Sequence, residues 1–473
     1  MRTLLLAALL LGSSEGLEGK RPNLILVITD DQGYGDVGRH GNPILRTPNL
    51  DRLYDESVRF DDFRVSPTCA PTRAGVFTGR HEFRSGVTHT ISERERLSLK
   101  ATTMAQVLKT AGYATGIFGK WHLGDEEAYR PDKRGFDEVF IHGAGGIGQS
   151  YPGTCGDAPK NSYFDPVILH NGVFEKTAGY CTDVFFAQAM KWIEATKGSK
   201  PFYCHLATNA PHEPLQVPPE YEKQYSDKVP KAETAKYFGM VANIDDNVGR
   251  LLSKLEALKI ERETLVVFMS DNGGTGGCEV WNAGMKGKKG SPDNGGTRAI
   301  SFWRWPGTLK PATISKLTAH VDIFPTFAAL AGAPAPAGID GYSLLPLLEN
   351  PAAAWHEDRM LFTHLGRWPL GAPPAKNGPS SVRWRNYLWV RAPKPGLYDL
   401  AADPGETKDL SGAQPETLAR LAKAYDAWWE EILPCLENEG AYLTAPKVNP
   451  FKALYWKQYG GPGPNQAPPP AEK

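Results

Sequence analysis

The sequence has no excess of either charge, no internal repeat and no dense cluster of cysteines. Its 473 residues carry 53 Lys plus Arg against 53 Asp plus Glu. Bulk charge therefore gives no support for a nucleic-acid partner or for binding to an anionic membrane surface. We expect no nucleic-acid partner, and any site for an anion has to come from a local cluster of cations.

The six cysteines lie far apart in the chain, and none forms a C-x-x-C pair. This spacing argues against a zinc site or a redox motif. Cys155 and Cys181 flank a stretch rich in Gly, Pro and Asn, and we predict a disulfide between them. No N-x-S/T sequence occurs in the chain, which favours a bacterial over a eukaryotic secreted origin.

Long hydrophobic runs are also absent after the first residues. "MRTLLLAALLLGSSEG" combines one arginine, a short apolar run and small residues, which predicts a signal peptide over residues 1–16. The run is too short to span a bilayer as a mature helix, and it lacks the amphipathic period of a buried first helix. We expect an exported protein, periplasmic or secreted, with no membrane anchor.

Between residues 22 and 270 short apolar runs alternate with helical patterns. This alternation predicts an α/β fold with a large, mixed, mostly parallel sheet flanked by helices. The expected strands are 22–29, 113–119, 202–206 and 264–270, and the expected helices are 48–58, 102–111 and 234–259.

The character of the sequence changes after about residue 365. Short strand patterns and an amphipathic helix over 415–433 predict a small antiparallel-sheet-plus-helix subdomain at 366–436. Residues 17–365 then form the main domain. The Pro- and Gly-rich segment 437–473 is predicted to be an extended or disordered tail.

Acidic and amide side chains follow two of the predicted strands. Asp30 and Asp31 come after the first strand, and Asp271 and Asn272 come after strand 264–270. Each pair alone is an ordinary turn sequence. Together, at the carboxyl ends of strands in one sheet, they favour a shared hard cation such as calcium, which prefers several oxygen ligands.

Cations and histidines follow other predicted strands. Lys120 and His122 are two residues apart, so in extended backbone they face the same way. His212 lies between prolines in "APHEP", which suits a rigidly held acid or base. Lys289 belongs to the lysine- and glycine-rich stretch 286–307, where backbone can approach an anion closely. Taken alone, Lys120 and His122 are better explained as a solvated lysine and a hydrogen-bonded structural histidine, and 286–307 as a basic surface loop.

Other polar residues are predicted to be structural. His205 lies inside an apolar strand pattern and is interpreted as a core histidine. Asp245 and Asp246 lie on the helix over 234–259, and we predict that they form its polar face.

Cys69 lies in "PTCAPTRAGVFTGRH", residues 67–81. Pro71 and Gly79 predict a short helix that places Cys69 and Arg73 at its positive end. A buried inert thiol is the ordinary expectation for a cysteine. A cysteine protease would explain the thiol but neither the acidic pairs nor the cations, which suit phosphoryl or sulfuryl transfer with a metal.

The motif C-x-P-x-R at Cys69–Arg73, followed by "AGVFTGRH", resembles the signature of the type I, formylglycine-dependent sulfatases of the alkaline phosphatase superfamily. The paired aspartates, G-K-W-H-L-G, P-H-x-P, D-N-G and K-G-x-x-x-x-G-G-x-R follow in that family's order, over residues 22–433. The resemblance implies an alkaline-phosphatase-like fold and an arylsulfatase-like sulfuric ester hydrolase. It also makes 17–365 the catalytic domain.

The resemblance implies roles for the residues that match its motifs. Cys69 would be oxidised by a formylglycine-generating enzyme to formylglycine, whose hydrate is the nucleophile. Arg73 would hold that hydrate, Lys120 and His122 would contact it and the sulfate, and His212 and Lys289 would serve the leaving alcohol. One calcium ion would be held by Asp30, Asp31, Asp271, Asn272 and the modified Cys69.

Two positions depart from the family pattern: Thr72 stands where serine is commonest, and Asn294 where an acidic residue is frequent. Lys286 and Lys288 compete with Lys289 for its assignment. The expected substrate is a sulfated carbohydrate or an aryl sulfate, with 142–182 and 365–385 as candidate rims of the site. The alternatives are a phosphonate monoester or phosphodiester hydrolase on the same scaffold, and a non-catalytic protein that binds sulfated glycans.

Overall fold

The computed structural model describes residues 16–461. The predicted signal peptide, except Gly16, and the end of the predicted tail lie outside this range. No helix in the described part of the chain is long and apolar enough to cross a membrane. The strands are β1 (Asn23–Thr29), β2 (Val58–Phe60), β3 (Phe63–Arg64), β4 (Ala114–Lys120), β5 (Glu138–His142), β6 (Val167–His170), β7 (Val173–Lys176), β8 (Phe202–Ala207), β9 (Thr264–Ser270), β10 (Ser301–Arg304), β11 (Ala312–Ile314), β12 (Thr318–Ala319), β13 (Met360–His364), β14 (Ser380–Trp384), β15 (Tyr387–Ala392) and β16 (Gly396–Asp399).

The helices agree with the predicted ones where a prediction was made. Helices α1 and α10 begin at the prolines Pro48 and Pro415, and the side chain of Thr103 caps α3. They are α1 (Pro48–Asp55), α2 (Cys69–Thr78), α3 (Met104–Thr110), α4 (Cys181–Thr196), α5 (Pro219–Glu222), α6 (Ala232–Ala257), α7 (Asn294–Thr297), α8 (Ile323–Leu330), α9 (Leu345–Glu349), α10 (Pro415–Ile432) and α11 (Pro450–Tyr459).

The main sheet has 10 strands in the order β11-β2-β10-β9-β1-β8-β4-β5-β6-β7. The pairs β9/β1, β1/β8, β8/β4 and β4/β5 are all parallel. The strands outside this centre pair mostly antiparallel. The predicted mixed, mostly parallel sheet is confirmed, and the carboxyl ends of its central strands meet at one edge.

Helices cover both faces of this sheet, because successive residues of a buried strand point to opposite sides. In β1, Leu24 and Leu26 join one hydrophobic core, which also contains Phe327 of α8. Ile25 and Val27 join the other core, which is filled largely by α4 and α6. The central strands are therefore mostly apolar, and the polar side chains of the site lie at or beyond their ends.

The C-terminal unit is an antiparallel sheet, β13-β14-β15-β16, with α10 packed against it. Trp384 and Trp389 of the sheet share a core with Leu421, Trp428 and other residues of the helix. The predicted C-terminal unit of an antiparallel sheet plus a helix is confirmed. Its sheet starts at Met360, before residue 366 at which the sequence placed the subdomain.

The prediction of an extended or disordered tail over 437–473 is wrong for residues 450–459, which form α11. Asn449 caps α11 by accepting from the backbone N–H groups of Phe451 and Lys452. Phe451 is fully buried and packs near Phe174 of β7. The aromatic residues before Gly460 give this segment an apolar face, so it docks on the main domain.

The predicted disulfide between Cys155 and Cys181 is also wrong, because all six cysteines are free. The Cys155 thiol donates to the carbonyl of Thr90, and the Cys181 thiol donates to Oδ1 of Asn209, each at 3.4 Å. The two cysteines are held by different parts of the fold.

Asp245 departs from its predicted place on a polar helix face. It is buried, and its carboxylate accepts from the backbone N–H groups of Asn49, at 3.2 Å, and Leu50, at 2.7 Å. It therefore supplies the N-terminal cap of α1 from another helix. His205 is buried as predicted, with Nδ1 2.9 Å from the hydroxyl of Tyr203.

Candidate active site

The structure brings the predicted site residues together at the carboxyl edge of the central strands. This follows from the parallel pairing, which places the ends of β1, β4, β8 and β9 side by side. The polar residues that the sequence placed after these strands are Asp30, Asp31, Lys120, His122, His212, Asp271 and Asn272, and Cys69 and Arg73 join them from α2.

Cys69 is the first residue of α2, two positions before the proline that was expected to open the helix. The hydroxyl of Thr72 donates to the carbonyl of Ser66 at 3.1 Å, so the threonine at this position ties the helix to the preceding loop. Gly75 faces His320, and Gly79 ends the helix with a φ of +63°. The N-terminus of the helix, with its unpaired N–H groups, is thereby directed at the site.

Two buried ion pairs form the floor of the site. Lys120 pairs with Asp30, and Nη2 of Arg73 lies 2.9 Å from Oδ2 of Asp271. All four side chains are almost fully buried. Burial opposes ionisation of Cys69, but the positive charges of Lys120 and Lys289 outweigh it and hold the thiol pKa below its ordinary value.

Asp31 organises the opposite side of the site. It has a φ of +69°, a left-handed conformation that a non-glycine residue rarely adopts. Its carboxylate lies 2.6 Å from Nζ of Lys289 and accepts from Nδ2 of Asn272 at 2.9 Å. Burial disfavours a charge on Lys289, yet the Asp31 carboxylate raises the lysine pKa well above its ordinary value.

The neighbouring lysines do not share this position. Lys286 pairs with Asp293 at 2.8 Å, and Lys288 is exposed with no ion pair to any residue between 16 and 461. Of the three candidates, Lys289 is therefore the lysine whose amine enters the site. Asn294, the other departure from the family pattern, accepts from Nη1 of Arg64 at 2.7 Å and has a structural role.

His122 has a defined tautomer. Its Nε2 lies 2.8 Å from the carbonyl oxygen of Thr90, an acceptor only, so Nε2 carries the proton. Its Nδ1 is buried and has no hydrogen-bond partner among the described residues. Burial, reinforced by the charge of Lys120, lowers the pKa of His122 well below its ordinary value.

His212 is fixed in a similar way. Its Nδ1 lies 2.7 Å from the carbonyl oxygen of Glu213, and its Nε2 lies 3.9 Å from Oδ2 of Asp31. Burial lowers the pKa of His212, while the Asp31 carboxylate acts in the opposite direction. The neutral ring presents the lone pair of Nε2 to the site.

The donor atoms around Cys69 fit a hard cation. Ligand atoms of Asp30, Cys69 and Asp271 all lie within 4.8 Å of one another. Oδ1 of Asp30 and Oδ1 of Asn272 are buried and have no hydrogen-bond partner within residues 16–461. Such orphaned acceptors are rare unless another group completes them.

The raised pKa values of the Asp30 and Asp271 carboxyl groups also suit a bound cation. Burial raises the pKa of Asp30 to about 6, and burial together with the charge of Asp30 raises that of Asp271 to about 7. Several carboxylates buried side by side repel one another, so a bound divalent cation would stabilise all of them in the ionised form.

The site opens into a pocket of about 230 Å³. The pocket includes residues that no sequence motif had singled out. His89 carries no local signal, whereas Gln149, Tyr151 and Arg367 fall in the two segments predicted as rims. A larger cleft of about 770 Å³ lies between the main domain and the C-terminal sheet and contains none of the predicted site residues. The site pocket is lined by Cys69, His89, Thr90, Ile91, His122, Gly145, Gln149, Tyr151, His212, Lys289 and Arg367.

Comparisons with known proteins agree with this arrangement. Residues 22–333 match the family model described as Sulfatase, and residues 297–425 match N-sulphoglucosamine sulphohydrolase, C-terminal. Arylsulfatase J of Mus musculus is 33% identical over 487 residues, which cover 91% of this chain and 79% of the relative. N-acetylgalactosamine-6-sulfatase of Homo sapiens is 28% identical over 513 residues, covering 92% and 94%.

A solved structure has a similar fold over most of this chain. The structure of Ps i-CgsB in complex with k-i-k-neocarrahexaose superposes with a TM-score of 0.77 at 29% identity, covering 86% of this chain and 92% of that one. The expected alkaline-phosphatase-like fold is thus confirmed. The chain belongs to the sulfatase family and is an enzyme that hydrolyses sulfate esters.

Proposed function

We propose that this sulfatase acts through a formylglycine made from Cys69, with one calcium ion in the site. One observation carries the proposal: a thiol, its charge-paired lysines and arginine, and unsatisfied oxygen donors meet at one edge of the sheet. Asp30, Asp31, Asp271, Asn272 and the modified Cys69 would hold the ion. When present, formylglycine supplies a hydrated aldehyde as the nucleophile and calcium supplies positive charge.

The surrounding residues then have distinct tasks. The positive charges of Arg73 and Lys120, at the floor of the site, act on residue 69 and favour a negatively charged oxygen there. Lys289 stays protonated because of Asp31, so it can bind the ester oxygen and give a proton to the leaving alcohol. These roles require buried charges that are fixed in place before the substrate binds.

The two histidines complement the cations. Because Nε2 of His122 donates its hydrogen bond to the carbonyl of Thr90, Nδ1 is free to take a proton from residue 69. Because Glu213 accepts from Nδ1 of His212, Nε2 of His212 faces the substrate. The Asp31 carboxylate partly offsets the effect of burial on the pKa of His212, which is neutral in the free site; once Nε2 takes up a proton, His212 would assist Lys289 at the leaving oxygen.

The substrate is proposed to be a sulfated carbohydrate. Two comparisons support this class, since one relative is named N-acetylgalactosamine-6-sulfatase and one solved neighbour holds k-i-k-neocarrahexaose. Aromatic and amide groups such as Tyr151 and Gln149 at the pocket mouth suit a sugar ring. Export through the N-terminal segment and maturation by a formylglycine-generating enzyme are parts of the same proposal.

The experiment that tests the proposal is mass spectrometry of the tryptic peptide VSPTCAPTR, residues 65–73, after co-expression with a formylglycine-generating enzyme. We expect the mass of the aldehyde or its hydrate, and calcium in the purified protein. A Cys69→Ala variant should fold equally well and hydrolyse no sulfate ester. An intact thiol in an active enzyme would contradict the formylglycine, and faster turnover of phosphonate or phosphodiester substrates would contradict the substrate class.

A further inference from the structure

Arg367 is an exposed arginine that lines the pocket containing Cys69, although it comes from the C-terminal part of the chain. Within residues 16–461 its guanidinium forms no ion pair and no hydrogen bond. An unpaired guanidinium at the mouth of a catalytic pocket remains available to a ligand.

The backbone that carries Arg367 is held on both sides by one buried residue. Arg94 donates from Nη2 to the carbonyl of Gly366, and from Nη1 to the carbonyl of Trp368 at 3.0 Å. Its guanidinium lies 4.6 Å from the centre of the Trp368 ring, whose Nε1 donates to Glu439 at 2.6 Å. The backbone on either side of Arg367 is therefore fixed by Arg94 and Glu439.

Gly366 makes this loop geometry possible. Its φ is +67°, and a Cβ at this position would lie 2.1 Å from the carbonyl oxygen of Thr88. Only glycine allows such a close approach of the two backbones. Arg367 thus projects from a tight, packed turn rather than from a loose surface loop.

Arg367 differs from the cations at the floor of the site because it has no carboxylate partner among residues 16–461. Lys120, Arg73 and Lys289 each have a carboxylate partner. Arg367 acts instead on the outer pocket, where burial and its charge lower the pKa of His89 to about 3 and keep that ring neutral. The outer pocket therefore carries one uncompensated positive charge beside neutral hydrogen-bonding groups.

From this we infer that Arg367 binds a second anionic group of the substrate, a carboxylate or a second sulfate on the saccharide that bears the ester being cleaved. The inference rests on the proposed carbohydrate sulfatase function and narrows its substrate to polyanionic saccharides. A planar guanidinium binds either oxyanion through two parallel hydrogen bonds. Arg94 and Glu439 are positioning residues for this contact.

The test compares Arg367→Ala, Arg367→Lys and the parent enzyme on three substrates. These are a simple aryl sulfate, a disulfated disaccharide and a monosulfated disaccharide that contains a uronic acid. We expect Arg367→Ala to raise KM about tenfold or more on a disaccharide with a second anion, and to raise it much less on the aryl sulfate. Arg367→Lys should retain part of the difference. The two disaccharides distinguish a sulfate partner from a carboxylate partner.

A matched control is Arg46→Ala, which removes another exposed arginine without an ion pair in the described chain, away from this pocket. Equal losses on all three substrates would overturn the inference, because Arg367 would then act on the reacting sulfate. Unchanged KM values on both disaccharides would overturn it as well.

A binding measurement separates this inference from the proposed mechanism. Calorimetric titration of the two disaccharides into Cys69→Ala protein needs no turnover. Weaker binding in the Cys69→Ala, Arg367→Ala double variant supports the inference even if formylglycine is never found. Equal binding by the single and double variants contradicts it even in a fully active enzyme.

Discussion

Lys288 and Lys289 are neighbours in the chain, but their amines occupy different environments. The amine of Lys289 contacts buried Asp31, whereas Lys288 is exposed. We predict that Lys289→Ala lowers kcat about 100-fold or more on any sulfate ester, because it removes a cation fixed at the leaving oxygen. Initial rates at saturating substrate measure this effect.

Lys288→Ala is the matched control and should keep kcat within about twofold, as for surface substitutions in general. Circular dichroism melting curves show whether each variant is folded. Similar losses in the two variants would mean that the loop needs its total charge and not one placed amine.

Glu95 does not line the site pocket, and it offers a pH-dependent prediction. It is buried, accepts from the hydroxyl of Thr154, and has one oxygen without a partner in the described structure. Burial raises its pKa from 4.5 to about 8. The folded state thus binds a proton more tightly than the unfolded state, so this group's contribution to stability is lost as the pH rises from about 4.5 through 8.

We therefore expect Glu95→Gln to melt at nearly the same temperature as the parent at pH 5, and several degrees higher at pH 9. Thermal melts across this range measure the difference. Exposed Glu18→Gln is the control and should show no pH-dependent gain. A difference that stays constant with pH would show that Glu95 is not protonated in the folded state at neutral pH.

Helix α2 depends on a close contact between Gly75 and His320. A Cβ added to Gly75 would lie 2.3 Å from Nε2 of His320, and the opposite ring nitrogen lies 3.1 Å from the carbonyl oxygen of Arg64. We predict that Gly75→Ala destabilises the fold by about 1–3 kcal/mol and lowers kcat, because the helix that begins with Cys69 must shift. Thermal unfolding and initial rates measure the two effects.

The double variant Gly75→Ala, His320→Ala is the decisive comparison. Removing the ring makes room for the new methyl group, so the combined loss should be smaller than the sum of the single losses. Additive losses would show that a methyl group at residue 75 does not act through a clash with His320.

The elements themselves were largely predictable from sequence, because strands buried on both faces have continuous apolar runs and the helices have a 3.6-residue period. The same patterns located Asp30 and Asp271, since side chains after central strands must lie at one edge of the sheet. Asp245 was misplaced because its partner, the N-terminus of α1, is distant in sequence. Cys155 and Cys181 were misassigned because loop composition does not report which groups face a thiol.

The contacts of Arg367 and α11 could not be derived from sequence for a related reason. Each depends on two segments that are far apart in the chain, such as Arg94 with Gly366. No local period encodes such a pairing. What the sequence did indicate was the composition of the segment 365–385, with two tryptophans and three arginines.

At the scale of the whole molecule, the C-terminal helix α11 closes the edge of the main sheet. Gln458 pairs with the backbone of Phe174 in edge strand β7, accepting at 2.8 Å and donating at 2.7 Å. Asn449 donates to Asp125 at 2.8 Å, and Phe451 lies against Gly143. The helix therefore both covers an exposed edge strand and supports the loop that carries Gln149 and Tyr151.

Truncating Phe451 tests whether this docking supports the pocket. We predict that Phe451→Ala destabilises the protein by about 3–5 kcal/mol, because a fully buried ring leaves a cavity. It should also raise KM for a sulfated saccharide more than for a small aryl sulfate, since residues 143–156 lose their support and the saccharide extends further over them. Thermal melts measure the loss of stability, and KM values on the two substrates measure the effect on the pocket. Hydrogen exchange of residues 143–156 shows whether that loop has lost its support. Leu443→Ala, at a residue 75% exposed, is the control and should change neither. A destabilised variant with unchanged exchange in 143–156 would confine α11 to covering the edge strand, with no part in forming the substrate pocket.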